Sequence, residues 1–69
     1  MSVAKVIEVI GASEIGWENA IKDAVKEASK TVDNITGIEV LNLTAKVEAG
    51  EVQEYKANVR LAFAVRENR

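Results

Sequence analysis

From Tyr55 to Val65 the chain alternates. Tyr55, Ala57, Val59, Leu61, Phe63 and Val65 fall in one frame, and Lys56, Asn58, Arg60, Ala62 and Ala64 in the other. A period of two over such a length predicts a β-strand with one apolar and one mostly polar face. Counted from Val52 to Val65, the strand would reach roughly 46 Å at ~3.3 Å per residue, whereas a globule of this chain length has a radius of gyration of about 11 Å. A strand that long must curl around whatever fills its apolar face, or pair in part with another chain. We read oligomerisation from this mismatch.

The first run, Val3 to Ile10, is apolar at Val3, Val6, Ile7, Val9 and Ile10, with Lys5 and Glu8 as its polar positions. Apolar residues in both frames predict a strand covered on both sides. Gly11-Ala12-Ser13 reads as a break, with Ser13 as N-cap of a helix and Glu14 where the helix dipole favours an anion. The capping box is incomplete, because its last position is Gly16. From there Trp17, Ala20, Ile21, Ala24, Val25, Ala28 and Val32 recur at three- and four-residue steps, one stripe of a helix. Glu18, Lys22, Asp23, Lys26, Glu27 and Lys30 form a solvated opposite side with Glu18–Lys22 and Glu27–Lys30 pairs. The stripe is expected to pack on Leu61 and Phe63. The helix should fray by Asp33-Asn34, where asparagine tolerates a left-handed turn, with Gly37 just beyond.

In the second strand, Ile38 to Val47, the frame changes. Ile38 and Val40 are apolar in one frame, and Leu41, Leu43, Ala45 and Val47 in the other. A β-bulge placing Val40 and Leu41 opposite one residue reconciles them. Glu48-Ala49-Gly50 suits a three-residue hairpin loop, which would pair Leu43 with Tyr55 and Leu41 with Ala57. The order is β-α-β-β in a single α+β domain, residues 1–69. With the third and longest strand in the middle, every pairing is antiparallel.

Composition narrows the chemistry. A chain of 69 residues has a thin core, and small folds usually add disulfides, a metal or partner subunits. No cysteine and no histidine are present, so disulfides and Cys/His zinc sites are excluded and subunit association is the remedy left. The same inventory removes the usual general base and thiol nucleophile, leaving Ser13 and Ser29 without an imidazole partner. Gly-rich phosphate and dinucleotide loops are also missing, so the chain does not read as an enzyme. Nine basic against eleven acidic residues argue against general nucleic-acid binding. The longest apolar run is too short to span a bilayer and no leader pattern precedes it, so a cytoplasmic protein is expected.

Four features retain two readings each. Glu48, Glu51 and Glu54 at the hairpin are solvated loop charges or oxygen ligands for a hard cation such as calcium. Lys46, Lys56 and Arg60 form an anion-binding strip on the polar strand face, or rim charges at a subunit interface. Trp17 packs in the core, or stacks on a planar ligand. The hairpin register admits a loop moved along by one residue.

In order and spacing, Val6-Ile7-Glu8, Gly11-Ala12-Ser13, Trp17-Glu18-Asn19-Ala20-Ile21, Ile38-Glu39-Val40 and Glu54-Tyr55 through Phe63 resemble the dodecins. The resemblance covers nearly the whole chain. It implies a three-stranded antiparallel sheet partly wrapped around one helix, with twelve copies forming a hollow, non-enzymatic assembly. It also implies a flavin site, for FMN or riboflavin, built on a tryptophan before the segment matching Ile38-Glu39-Val40 and a glutamine after the strand-three aromatic. Here those positions are Gly37 and Lys56. Glycine offers no stacking face, and an ammonium only donates, so the flavin contacts are lost or altered. A calcium-binding subgroup looks similar in having tryptophan on the helix, as Trp17 does here. The chain is thus expected to form a cage that stores or sequesters a small ligand, or an ion-binding or structural assembly without an organic ligand.

Overall fold

The long alternating stretch forms the middle of the sheet. The computed structural model describes residues 3–65, in the order β1 (Val3–Ser13), α1 (Trp17–Ala28), β2 (Ile35–Glu48) and β3 (Glu51–Val65). The strands lie in the order β1-β3-β2, both pairings antiparallel, as the α+β reading expects. The helix packs on β1 and β3, while β2 runs on beyond its cover. Residues 1–2 and 66–69 of the expected 1–69 domain lie outside the described residues.

Gly11 does not break β1. The strand continues to Ser13, and Gly11 pairs with Ala57. A Cβ at Gly11 would lie 2.0 Å from the Ala20 carbonyl oxygen and 2.9 Å from the Ala24 Cβ, so glycine is there because the helix backbone rests on it. The expected N-cap is likewise displaced. Ser13 Oγ accepts the Ile15 N–H at 3.0 Å, ending the strand, and the helix begins after Gly16 with no side-chain cap. At its other end the helix stops at Ala28, earlier than the stripe suggests, and the chain turns through Thr31 to Asn34. Asn34 adopts φ 64, as expected of an asparagine there.

The second strand starts at Ile35, and its bulge falls where the frames collide. Val40 pairs with Val59 and Asn42 with Asn58, leaving Leu41 as the extra residue. The hairpin departs from its expected register. Glu48 pairs with Glu51 across a two-residue loop, and Gln53 is skipped between the Val47–Val52 and Lys46–Glu54 pairs. Leu43 therefore opposes Ala57 and Ala45 opposes Tyr55, two residues from the expected register. A shift of two preserves every face, because side chains alternate.

The loop places Ala49 at φ 53 and Gly50 at φ 78, the primed-turn geometry that matches strand twist but strains an L side chain. Ala49→Asn, a residue that tolerates this region, is expected to raise stability by about 0.5–1 kcal/mol and Gly50→Ala to lower it by about 1 kcal/mol. Denaturation midpoints at equal subunit concentration check both signs.

The interior is small. Ala20, Ala24, Ala57, Val59 and Leu61 are buried, and of these only Val59 and Leu61 are large. Ile7, Val9, Ile21, Val25, Ala28 and Ile35 pack around them half-covered, whereas Phe63 stays half-buried at the margin. The chain extends 57 Å in its longest direction, with a radius of gyration of 14.4 Å rather than the ~11 Å of a compact chain. Its accessible surface is 5190 Å², against about 4,200 Å² expected for a compact monomer of this mass. The excess, on the order of 1,000 Å², is comparable to one partner's share of a standard protein interface.

Candidate functional site

The face of the sheet away from α1 gathers the polar row of β3. By register and alternation it carries Lys56, Asn58, Arg60 and Ala62 at its centre, Glu8 and Ile10 on one side, and Gly37, Glu39 and Asn42 on the other. Arg60 is the direct cross-strand partner of both Glu8 and Glu39. It donates to Glu8 Oε2 at 3.0 Å and to Glu39 Oε1 at 3.3 Å, so one guanidinium ties all three strands. The Glu8 hydrogen bond and the Glu39 charge raise the Arg60 pKa above its ordinary value. Asn58 Nδ2 donates to Asn42 Oδ1 at 3.0 Å one step along.

These contacts change how the basic strip is disposed. Arg60 lies between two carboxylates, and Lys46 Nζ is 3.8 Å from Glu48 Oε2. Among the described residues Lys56 has no such ion pair. At the hairpin tip Glu48 and Glu51 are directly opposite, a repulsive pair. Among the described residues, no three acidic side chains converge as metal ligands would.

Gly37 and Lys56 share this open face but not one locality. Gly37 pairs with Ala62, six residues along β3 from Lys56, a separation of ~20 Å at the usual rise. One small ligand therefore does not reach both positions within a single chain. Gly37 has no left-handed φ, and a Cβ there would touch only the Ala62 Cβ, at 3.9 Å. The backbone at 37 accepts a side chain, so neither dihedral angle nor local crowding requires glycine.

Trp17 is neither a core residue nor a free platform. It is 39% exposed; its indole Nε1 donates to the Thr44 carbonyl at 2.8 Å, and its ring meets Tyr55 edge-on at a centroid distance of 4.9 Å. The first residue of α1 is thereby latched to the β2–β3 hairpin. Sequence spacing placed Trp17 on the apolar stripe but gave no signal of this latch, which joins residues 27 positions apart.

An open groove of about 270 Å³ lies elsewhere, between α1 and the outer edge of β1, lined by Val9, Ile10, Gly11 and Ala12 with Asp23, Ala24 and Glu27. Glu27 is engaged by Lys30 at 2.8 Å, whose hydrogen bond lowers its pKa. The groove contains neither Gly37 nor Lys56. Among the described residues no helix is long and apolar enough to cross a membrane.

Comparison with known proteins connects this geometry to a family. The Dodecin family model matches residues 3–66. The calcium dodecin of Mycobacterium tuberculosis is 35% identical over 66 residues, covering 96% of this chain and 93% of that protein. The dodecin of Thermus thermophilus is 32% identical over 65 residues, covering 94% of each. The crystal structure of the tt0972 protein from Thermus thermophilus superposes with a TM-score of 0.94 at 31% identity, spanning 99% of this chain and 100% of that one. With β3 central, the bulge at Leu41 and one helix laid across β1 and β3, the chain belongs to the dodecin family.

Proposed function

We propose that this chain is a non-enzymatic, cytoplasmic protein whose single domain, residues 1–69, self-associates into a closed cage of twelve copies. The cage sequesters a small ligand at a flavin-type site whose contacts are altered. The observation that carries the reading is a dodecin-family chain with only two large side chains fully buried and an accessible surface well above that of a compact monomer. Such a chain stabilises itself by covering surface with copies of itself.

Within that reading Gly37 and Lys56 occupy the ligand-contacting positions, and the loss of the aromatic platform weakens flavin binding. A hydrogen bond nets only ~0.5–1.5 kcal/mol after desolvation, whereas an aromatic face adds burial and stacking. Gly37→Trp combined with Lys56→Gln is expected to tighten riboflavin binding at least about tenfold, ~1.4 kcal/mol, with Lys56→Gln alone doing less. Flavin fluorescence quenching on titration measures both. A double variant that assembles normally yet binds riboflavin no better than the parent removes these positions from the site.

A second reading is an ion-binding assembly without an organic ligand. It is favoured by the relative named calcium dodecin and by the opposed Glu48 and Glu51 at the hairpin tip, where neighbouring subunits could complete a set of oxygen ligands. A rise in melting temperature with calcium but not with riboflavin or FMN supports it, and the reverse supports the flavin-type site.

A further inference from the structure

β1 lies at one edge of the sheet. Its eleven residues pair with β3 in one unbroken register, and among the described residues no backbone group bonds to its outer side. Exposed edges are ordinarily blunted by bulges, prolines or charged side chains. The opposite edge, β2, is interrupted by three register shifts. β1 has none, the chain contains no proline, and residues 9–13 carry no charge. This uncharged half of the edge borders the groove between β1 and α1, whose walls are apolar at Val9 and Ala24. Asp23 and Glu27, one helical turn apart, line its helix side. Glu27 is engaged by Lys30, whereas among the described residues Asp23 has no ion-pair partner.

We infer that this edge is a docking site for an extended segment of another protein, which joins the sheet beside β1 and sets a lysine or arginine in the groove. In such strand addition, backbone hydrogen bonds to the free edge supply affinity and pockets for alternate side chains supply specificity. At about 270 Å³ the groove falls short of the ~300–1,000 Å³ that encloses a drug-sized ligand. It admits one long side chain, whose methylene stem covers Val9 and Ala24 while its charged head meets Asp23. A second copy of β1 is a poorer occupant. Antiparallel pairing of two β1 edges brings Lys5, the basic residue of that strand, opposite Gly11 only in the register that also sets Glu8 against Glu8. Like charges directly opposite are destabilising. The groove contains neither Gly37 nor Lys56, so this site stands apart from the ligand site proposed above.

Fluorescence anisotropy with the full chain tests this, using as probe the labelled, capped peptide Thr-Val-Thr-Lys-Thr-Val-Thr, which places its lysine and valines on one face. It is expected to bind at least about tenfold more tightly than the same peptide with glutamate for lysine. Asp23→Lys, an exchange at an exposed helix position, is expected to reverse that order. A fully N-methylated version of the lysine peptide cannot donate to the strand edge and is expected not to bind, a comparison that leaves the protein unaltered. Equal affinity for the lysine and glutamate peptides, binding of the N-methylated peptide, or no binding of the lysine peptide overturns the proposal. Amide hydrogen exchange supplies a second reading. The lysine peptide is expected to slow the outward-facing amides of residues 9–13 by about tenfold or more. If those amides are already protected in the free protein, a second copy covers the edge and the proposal fails.

Discussion

Gly11→Ala is expected to destabilise the fold by about 3 kcal/mol through the addition of one methyl group. The new Cβ would meet the Ala20 carbonyl oxygen at 2.0 Å and the Ala24 Cβ at 2.9 Å. Neither atom is the end of a flexible side chain that could swing aside, so the helix must lift from the sheet. Lifting it loosens the whole interior, since Ala20 and Ala24 meet Ala57, Val59 and Leu61 through that contact. Denaturant unfolding at fixed subunit concentration measures the effect, because stability in an assembling protein depends on concentration. A loss below about 0.5 kcal/mol would show that α1 is not seated on β1 at Gly11.

Leu61→Ala should have a comparable effect by the opposite route. Leu61 is fully buried on the central strand, between Ile7 on β1 and Ile38 on β2. Removing its branched end forfeits transfer energy and leaves a cavity, and substitutions of this kind cost about 2–5 kcal/mol. The sequence suggests Phe63 as an equal contributor. In the fold Phe63 is only half-buried, so Phe63→Ala should cost less than Leu61→Ala in the isolated domain. Reversal of that order would move the centre of the core toward the Val65 end of β3.

Much of the fold can be read from the chain because local signals agree with tertiary ones. The alternation in β3 states which face is buried, and Ala57, Val59 and Leu61 are indeed its fully covered residues. The frame change at Val40-Leu41 announces a bulge, since no unbroken strand could keep both sets on one side. What could not be read depends on partners distant in sequence. Gly11 looks like a break because nothing local reveals the helix backbone resting against it. Between the two registers that the sequence left open, the body of the hairpin takes the one displaced by a residue of loop. It reaches it through a two-residue loop and a skipped Gln53, neither of which alters the facial pattern beyond them. For the candidate site, the polar strand face holding Lys56 and Arg60 was legible from the alternation in β3, whereas the place of Gly37 on that same face needed the β2–β3 register. The clamp of Glu8 and Glu39 on Arg60 was not legible either, because it requires the strand order and both registers at once.

Native mass spectrometry of the untagged chain at micromolar concentration tests the central claim most directly. The account predicts a single dominant species of about twelve copies, its mass a corresponding multiple of the 7.5 kDa subunit. A dominant monomer of 7.5 kDa would contradict it, since the exposed Leu43, Val47 and Val52 of the β2–β3 hairpin and the surplus surface would then be left in water.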